Sequence, residues 1–335
     1  MPEPKLPLVI PSGTYFNPER FIAYERCGSQ VTEACKGLVP YGGRPMLAHV
    51  IEQFGPYVDS IYVCGPKKRL EDSLQAELSR FDVHICDESD GLYRRIVPER
   101  HQHCLDYELG SDGRPAPTDG NDSRALIRNT LSAAAYSNQR SPSDWVLASG
   151  CDIPRISGTT IETHLRQVRG RISAEAKMYG SPADFYYTLV RTRSDNYHGR
   201  SELWRPGLVF SADLAVRLGD VHSFRAEAVV GSLKRAVEAW SMRKIKDHPL
   251  KSIRYFSRVA GPDGRKSLAK ILYNTVLRYS SIAILGRPAR WGYFDVMLAA
   301  LEGRLTRHFG PKIRINIAEG IEDIDNIREL RKSEN

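Results

Sequence analysis

Over its 335 residues the sequence has no run of about 18 apolar residues, so no membrane-spanning helix is expected. Its six cysteines (Cys27, Cys35, Cys64, Cys86, Cys104 and Cys151) form no C-x-x-C pair, which argues against a zinc ribbon and gives no disulfide framework. His101-Gln102-His103-Cys104 has metal-ligand residue types but no second cluster at finger-like spacing, so a structural metal is not expected there. No helix-turn-helix, zinc-finger or RNP-like motif occurs, so a nucleic-acid partner would rest on charge alone and is not expected. The opening Met1-Pro2-Glu3-Pro4-Lys5 lacks the apolar run of a signal peptide. With Cys64, Cys86 and Cys151 at the ends of apolar strand-like runs, read as buried free thiols, this points to a reducing cytoplasm.

What is present is the composition of an ordinary globular chain, 41% hydrophobic and 26% charged. The length suits one large α/β domain or two small ones. A net charge of +8 and a pI of about 9.1 suit polyanionic ligands, and suit plain solubility equally well.

The apolar pattern alternates strand and helix. Leu6–Ile10 reads as a buried strand; Leu47, Val50, Ile51 and Phe54 mark one face of a helix that Pro45 can start. Val58–Cys64 is a second strand, Leu70, Leu74, Leu78 and Phe81 a second helix, and Asp82–Cys86 a third strand. This β-α-β-α-β order predicts a parallel sheet with right-handed crossovers. Residues 87–123 are loop chemistry, followed by a helix over Arg124–Gln139. Asp144–Ser149 is a strand leading into Gly150-Cys151-Asp152-Ile153-Pro154, and Ser157 is the natural cap of the next helix. Phe185–Arg191 is β-rich, with Arg205–Phe210 as its expected partner. From Ser223 to Phe309 the chain turns helical, and Lys312–Ile317 alternates as a last strand. The basic, Leu/Ile/Tyr-rich face over Lys266–Leu285 fits a core-facing helix better than one resting on a membrane, and a peripheral membrane contact stays open.

Three segments carry chemistry. Lys36-Gly37-Leu38-Val39-Pro40-Tyr41-Gly42-Gly43-Arg44-Pro45-Met46-Leu47 combines two cations with a glycine pair ahead of a helix, the ingredients of a phosphate cradle. Asp152 is a lone carboxylate at the tip of a strand. Gly320–Leu330 carries Asp323 and Asp325 near the end of the chain. In this order they resemble the K-x-L-x-P-x-G-G-x-P-(M/L)-(L/I), (G/C)-D-x-P and terminal D-(I/V)-D/N-T-P-E-D-L segments of the molybdenum-cofactor guanylyltransferase-like and sugar-phosphate nucleotidyltransferases. Asn326-Ile327 replaces the Thr-Pro of the last segment. Of the family's glycine-rich triphosphate loop only Ser12, Gly13 and Thr14 have counterparts; the stretch from Tyr15 to Cys35 is either an enlarged phosphate loop or a decayed one.

The resemblance implies a three-layer α/β/α, mostly parallel sheet of the nucleotide-diphospho-sugar transferase (GT-A-like) type with a C-terminal helical insertion. Residues 1–222 would be the core, 223–310 the insertion, and 311–335 a terminal strand and helix returning to the core. It implies Mg²⁺-dependent transfer of an NMP from an NTP to a phosphorylated small-molecule acceptor, with release of pyrophosphate. Lys36 and Asp152 would be catalytic. Ser12, Gly13, Thr14, Lys36, Gly42, Gly43 and Asn129 would bind nucleotide. Asp152, Asp323 and Asp325 would hold the metal, and Arg191 and Arg205 an acceptor phosphate. The rival readings are a glycosyltransferase of the same fold, which would prefer a D-x-D motif that Cys151-Asp152-Ile153-Pro154 does not provide, and a catalytically silent nucleotide-binding or scaffold protein.

Overall fold

The computed structural model describes residues 6–13, 35–107, 121–140, 143–191, 207–241, 249–289 and 291–318. The chain divides into two compact units. The described residues of the first fall within 6–166 and 220–241, and those of the second within 167–219 and 249–318. The architecture is a mixed, mostly parallel sheet with helices on both sides.

In the first unit β1 (Leu8–Pro11) is wholly buried and lies between β4 (Ile61–Gly65) and β6 (Val146–Ser149), parallel to both. β5 (Val83–Asp87) extends the sheet in parallel beyond β4, and β10 (Val221–Phe224) runs antiparallel along β6. Strands buried on both faces need near-continuous apolar sequence, which is what Leu8-Val9-Ile10 and Ile61-Tyr62-Val63-Cys64 supply. A short hairpin of β2 (Pro40–Tyr41) and β3 (Arg44–Pro45) leads into α1 (Met46–Phe54). Helices α2 (Lys67–Ser73) and α3 (Gln75–Arg80) fill the β4–β5 crossover, and α4 (Glu99–Gln102) is a single turn. α5 (Asn121–Arg140) packs on β1 and β4. α6 (Gly158–Tyr179) carries the chain from the first unit to the second; the Ser157 hydroxyl accepts from the Thr160 amide at 3.1 Å, the expected cap.

The second unit holds β7 (Phe185–Arg191), with β11 (Ile313–Ala318) parallel to it and β9 (Ala215–Leu218) antiparallel. β8 (Leu208–Val209) pairs with β9. Of the expected partner of Phe185–Arg191, Arg205–Phe210, the described strand Leu208–Val209 pairs with β9 instead, and the following Ala215–Leu218 lies against β7, because a tight turn at Ser211–Leu214 folds it back first. The helical stretch is shared between the units. α7 (Ala226–Gly231) and α8 (Leu233–Ser241) break at Ser232 and bury Val230, Leu233 and Val237 against Tyr93 and Leu131 of the first unit. α9 (Pro249–Leu285, broken at Gly261-Pro262) and α10 (Leu298–Phe309) pack on β8 and β11 of the second. Among the described residues, no helix is long and apolar enough to cross a membrane.

His164 sits on the buried face of α6, and neither ring nitrogen has a hydrogen-bond partner. Burial alone pushes its pKa down from 6.5 to about 4. The folded pKa lies below the unfolded one, so the neutral ring stabilises the fold fully above pH 6.5, and that stability is lost as pH falls towards 4. The shift corresponds to about 3 kcal/mol. Tm should fall over this interval in the native chain, and His164→Leu should flatten the fall in a thermal melt; an unchanged pH slope in the variant would assign the acid sensitivity to other groups.

Candidate active site

β1, β4, β5 and β6 run in one direction, so their C-terminal ends share an edge of the sheet. Open α/β sheets gather ligands at that edge. Ser12 and Gly13 follow β1 there, Gly65 and Asp87 end β4 and β5, and Gly150, Cys151 and Asp152 follow β6.

Ser12 is enclosed at the centre. Its amide donates to the Cys64 carbonyl at 2.8 Å, its carbonyl accepts from the Cys35 thiol at 2.9 Å, and its hydroxyl lies 3.3 Å from the Cys35 sulfur. Two glycines make room for it. A Cβ on Gly65 would strike the Ser12 carbonyl, and one on Gly37 would strike the Ser12 hydroxyl and press on Cys151 and Leu47. Gly37 lies in the turn Lys36–Leu38, so this close approach brings Lys36 to the strand edge. There its ammonium forms an ion pair with Asp152 Oδ2 across 116 positions of sequence. Both side chains are largely buried, at 15% and 16% exposure, which marks a contact within the protein rather than a solvated surface pair.

Gly150 opens the space on the other side. A Cβ there would strike Asp152 Oδ1 and touch the Cβ of Asp220. The Gly150 amide also donates to the Asp220 carbonyl at 2.9 Å, continuing the register that pairs Val221 with Ser149. Asp152 and Asp220 thus flank one glycine. In sequence Asp220 is marked only by Leu218-Gly219-Asp220-Val221, a turn between two β-prone runs. Cys151 is fully buried, and burial, reinforced by the neighbouring Asp152 carboxylate, pushes its thiol pKa well up, so it stays protonated and is no nucleophile.

Gly42 and Gly43 occupy the tip of the β2–β3 hairpin, with φ of 55° and 78°. Positive φ at both central residues is the type I′ requirement, so the turn itself demands the pair, independently of any anion. A Cβ on either would meet open space. Arg44 does not serve as free counter-charge for a phosphate cradle. Its guanidinium pairs with Glu52 at 3.1 Å and with the buried Glu77, and these hydrogen bonds raise its pKa. It clamps the hairpin to α1 and α3.

Asn129 is fully buried on α5. Its Nδ2 donates to Glu88 Oε2 at 3.2 Å, and its Oδ1 has no hydrogen-bond partner. Nearby, Asp87 is held below the usual carboxylate range: burial pushes it up, but bonds from the Ser89 hydroxyl and amide and from the Lys67 amide outweigh burial. Arg191 ends β7 in the second unit and is exposed. Thr14, Arg205, Asp323 and Asp325 lie outside the described residues. Among the described residues no three His, Cys, Asp or Glu side chains converge as a metal site.

Residues 25–94 match the MobA-like NTP transferase domain, a window that contains the whole Lys36–Leu47 segment. No curated protein sequence matches the chain. Among solved structures the chain is similar to a hypothetical transferase from Thermus thermophilus, at 16% identity and a TM-score of 0.50, over 97% of this chain and 99% of that one; the two share a fold. It is also similar to a CMP:2-keto-3-deoxy-manno-octonic acid synthetase complexed with CTP (12% identity, TM-score 0.44, 98% of this chain and 97% of that one). A third is a 4-diphosphocytidyl-2C-methyl-D-erythritol synthase from Anaerococcus prevotii (10% identity, TM-score 0.41, 99% and 95%).

The crowding at Ser12 is testable. Gly37→Ala should cost about 1–3 kcal/mol, the usual range for overpacking. Adding Ser12→Ala removes the struck hydroxyl and should recover part of that loss. Chemical denaturation of the two single variants and the double variant measures the coupling, and strict additivity would place the cost elsewhere.

Proposed function

We propose that this chain, a nucleotidyltransferase by its MobA-like NTP transferase domain, joins an NMP from an NTP to a phosphorylated small-molecule acceptor, with Mg²⁺ bound and pyrophosphate released. The observation that carries the reading is the Lys36–Asp152 ion pair at the carboxyl edge of the parallel strands. An ammonium and a carboxylate that neutralise each other there are placed to exchange partners, Lys36 for phosphate oxygens and Asp152 for a metal. The bond changes balance without a general base. An acceptor phosphate oxygen bonds to the α-phosphorus, the α–β bridging P–O bond breaks, and the electron pair leaves on pyrophosphate.

The donor set fits Mg²⁺, which takes one or two protein carboxylates and completes its shell with water and phosphate oxygens. Asp152, with Asp220 beside Gly150, would hold it, so three converging side chains are not required. Asp323 and Asp325 are further candidates from the end of the chain. Bound there, the ion would offset the repulsion between two anionic substrates. Lys36 would hold charge that develops on the reacting phosphoryl group and on pyrophosphate, at a site whose burial keeps it poorly screened. Ser12 and Gly13 would line the nucleotide phosphates, and the buried, unpaired Oδ1 of Asn129 would accept from the nucleoside. Gly42, Gly43 and Thr14 would border the same nucleotide, and Arg191 and Arg205 the acceptor.

Lys36→Met and Asp152→Asn should each lower pyrophosphate release by at least about a hundredfold, the scale of losing one charged contact to a transition state. The Mg²⁺ requirement should shift in Asp152→Asn and not in Lys36→Met. A panel of ATP, GTP, CTP and UTP, each with and without Mg²⁺, scored by thermal shift, identifies the donor; saturation at a hundred times Kd adds about 2.7 kcal/mol of apparent stability. Full turnover in folded Asp152→Asn would overturn the metal assignment.

A further inference from the structure

We infer that the second unit docks on an anionic phospholipid surface through the exposed face of α9 and the segment that follows it. This does not depend on the transfer reaction. Of the ten large hydrophobic residues exposed among the described residues, eight lie within 272–297. Ile284 is 80% exposed, Trp291 83% and Met297 74%. Such a concentration is not the scatter of single apolar side chains found on most surfaces.

The face is built, not frayed. The inner side of α9 is fixed to β8: the Thr275 hydroxyl accepts from the Val209 amide at 3.1 Å, and the Tyr279 hydroxyl from the Gly207 amide at 2.6 Å. Asn274 holds the returning segment against the helix, accepting from the Phe294 amide at 2.9 Å and donating to its carbonyl at 2.7 Å. Ser281 accepts from the Ala289 amide at 2.8 Å. Tyr273 and Phe294 rings meet at 5.3 Å, so the two strips form one patch.

Charge decides the occupant. At 3.6 residues per turn, Lys266, Lys270, Tyr273, Val276 and Ile284 share one face of α9. Lys266, Lys270 and Arg287 are exposed, whereas Arg278, on the opposite side, is buried and donates to the Ala212 carbonyl. Residues 249–297 hold nine basic and two acidic side chains and so supply +7 of the chain's net +8. A second copy meeting this patch about a two-fold axis would set like charges against each other. A membrane surface offers anionic headgroups to the lysines and an acyl boundary to Trp291 and Ile284.

The test is co-sedimentation of the full chain with vesicles of phosphatidylcholine alone and of phosphatidylcholine mixed with phosphatidylglycerol. Binding should require the anionic lipid and weaken with salt. Lys266→Ala and Lys270→Ala should each lower partitioning about fivefold, the factor given by ~1 kcal/mol per basic residue. Ile284→Asp with Trp291→Asp should abolish binding at unchanged Tm, since both side chains are exposed. No binding, or equal binding to neutral vesicles, would overturn the inference. So would a concentration-dependent dimer that Ile284→Asp dissociates, which would assign the patch to a second copy.

Discussion

The close packing around Ser12 is the constraint on which the candidate site depends. Three segments far apart in sequence meet at one buried serine: the end of β1, the turn Lys36–Leu38 and the end of β4. They meet closely only because Gly37 and Gly65 carry no Cβ. Once they do, Lys36 lies within reach of Asp152, which stands at the neighbouring strand end with Gly150 cleared beside it. The ion pair is thus a consequence of backbone approach. Coulomb attraction alone would not bring the two charges across the entropy of a long loop.

The same reasoning separates two cations that look equivalent in sequence. Lys36 and Arg44 stand eight positions apart in one motif. Arg44 is satisfied by Glu52 and the buried Glu77, and its planar fork is the right device for tying a hairpin to two helices. Removing it would strand a buried carboxylate, so its charge is committed to the fold. Lys36 pairs with Asp152 at a strand edge, and a compact ammonium on a flexible stem can turn from that carboxylate to another anion.

Much of the frame was legible in the sequence. Strand positions near Leu8, Ile61, Val83 and Val146 follow from buried apolar runs, and Ser157 as a cap follows from local chemistry. Lys36 and Asp152 stood out as one cation and one carboxylate at strand-end turns, although nothing in their spacing says that they touch. What escaped depended on long-range register. Asp220 reaches the site through the antiparallel pairing of β10 with β6, which no local pattern announces. Ala215–Leu218 displaced the expected partner of β7 because a short turn closes before a longer connection can. Asn129 was named through the resemblance, but its burial follows from how α5 lies on β1 and β4, which no local pattern gives.

α9 shows why periodicity alone could not choose between a core helix and an interfacial one. A helix with apolar residues on more than one side satisfies both readings at once. Ile271 and Ile282 are buried, Ile271 in the cluster with Leu189, Phe210 and Ile315, while Tyr273, Val276 and Ile284 remain on the outer side. The polar residues between them divide in the same way. Asn274, Thr275 and Arg278 are spent on backbone groups of β8 and its flanks, and Lys266 and Lys270 are left outside. Burying one face of α9 therefore sorts its charges as well as its apolar residues. Most of the chain's net positive charge falls within residues 249–297, and the exposed Lys266, Lys270 and Arg287 of that stretch accompany apolar groups that the fold itself does not cover. Net charge read from composition alone would have been assigned to the nucleotide, yet the site's own balance at Lys36 and Asp152 is close to neutral.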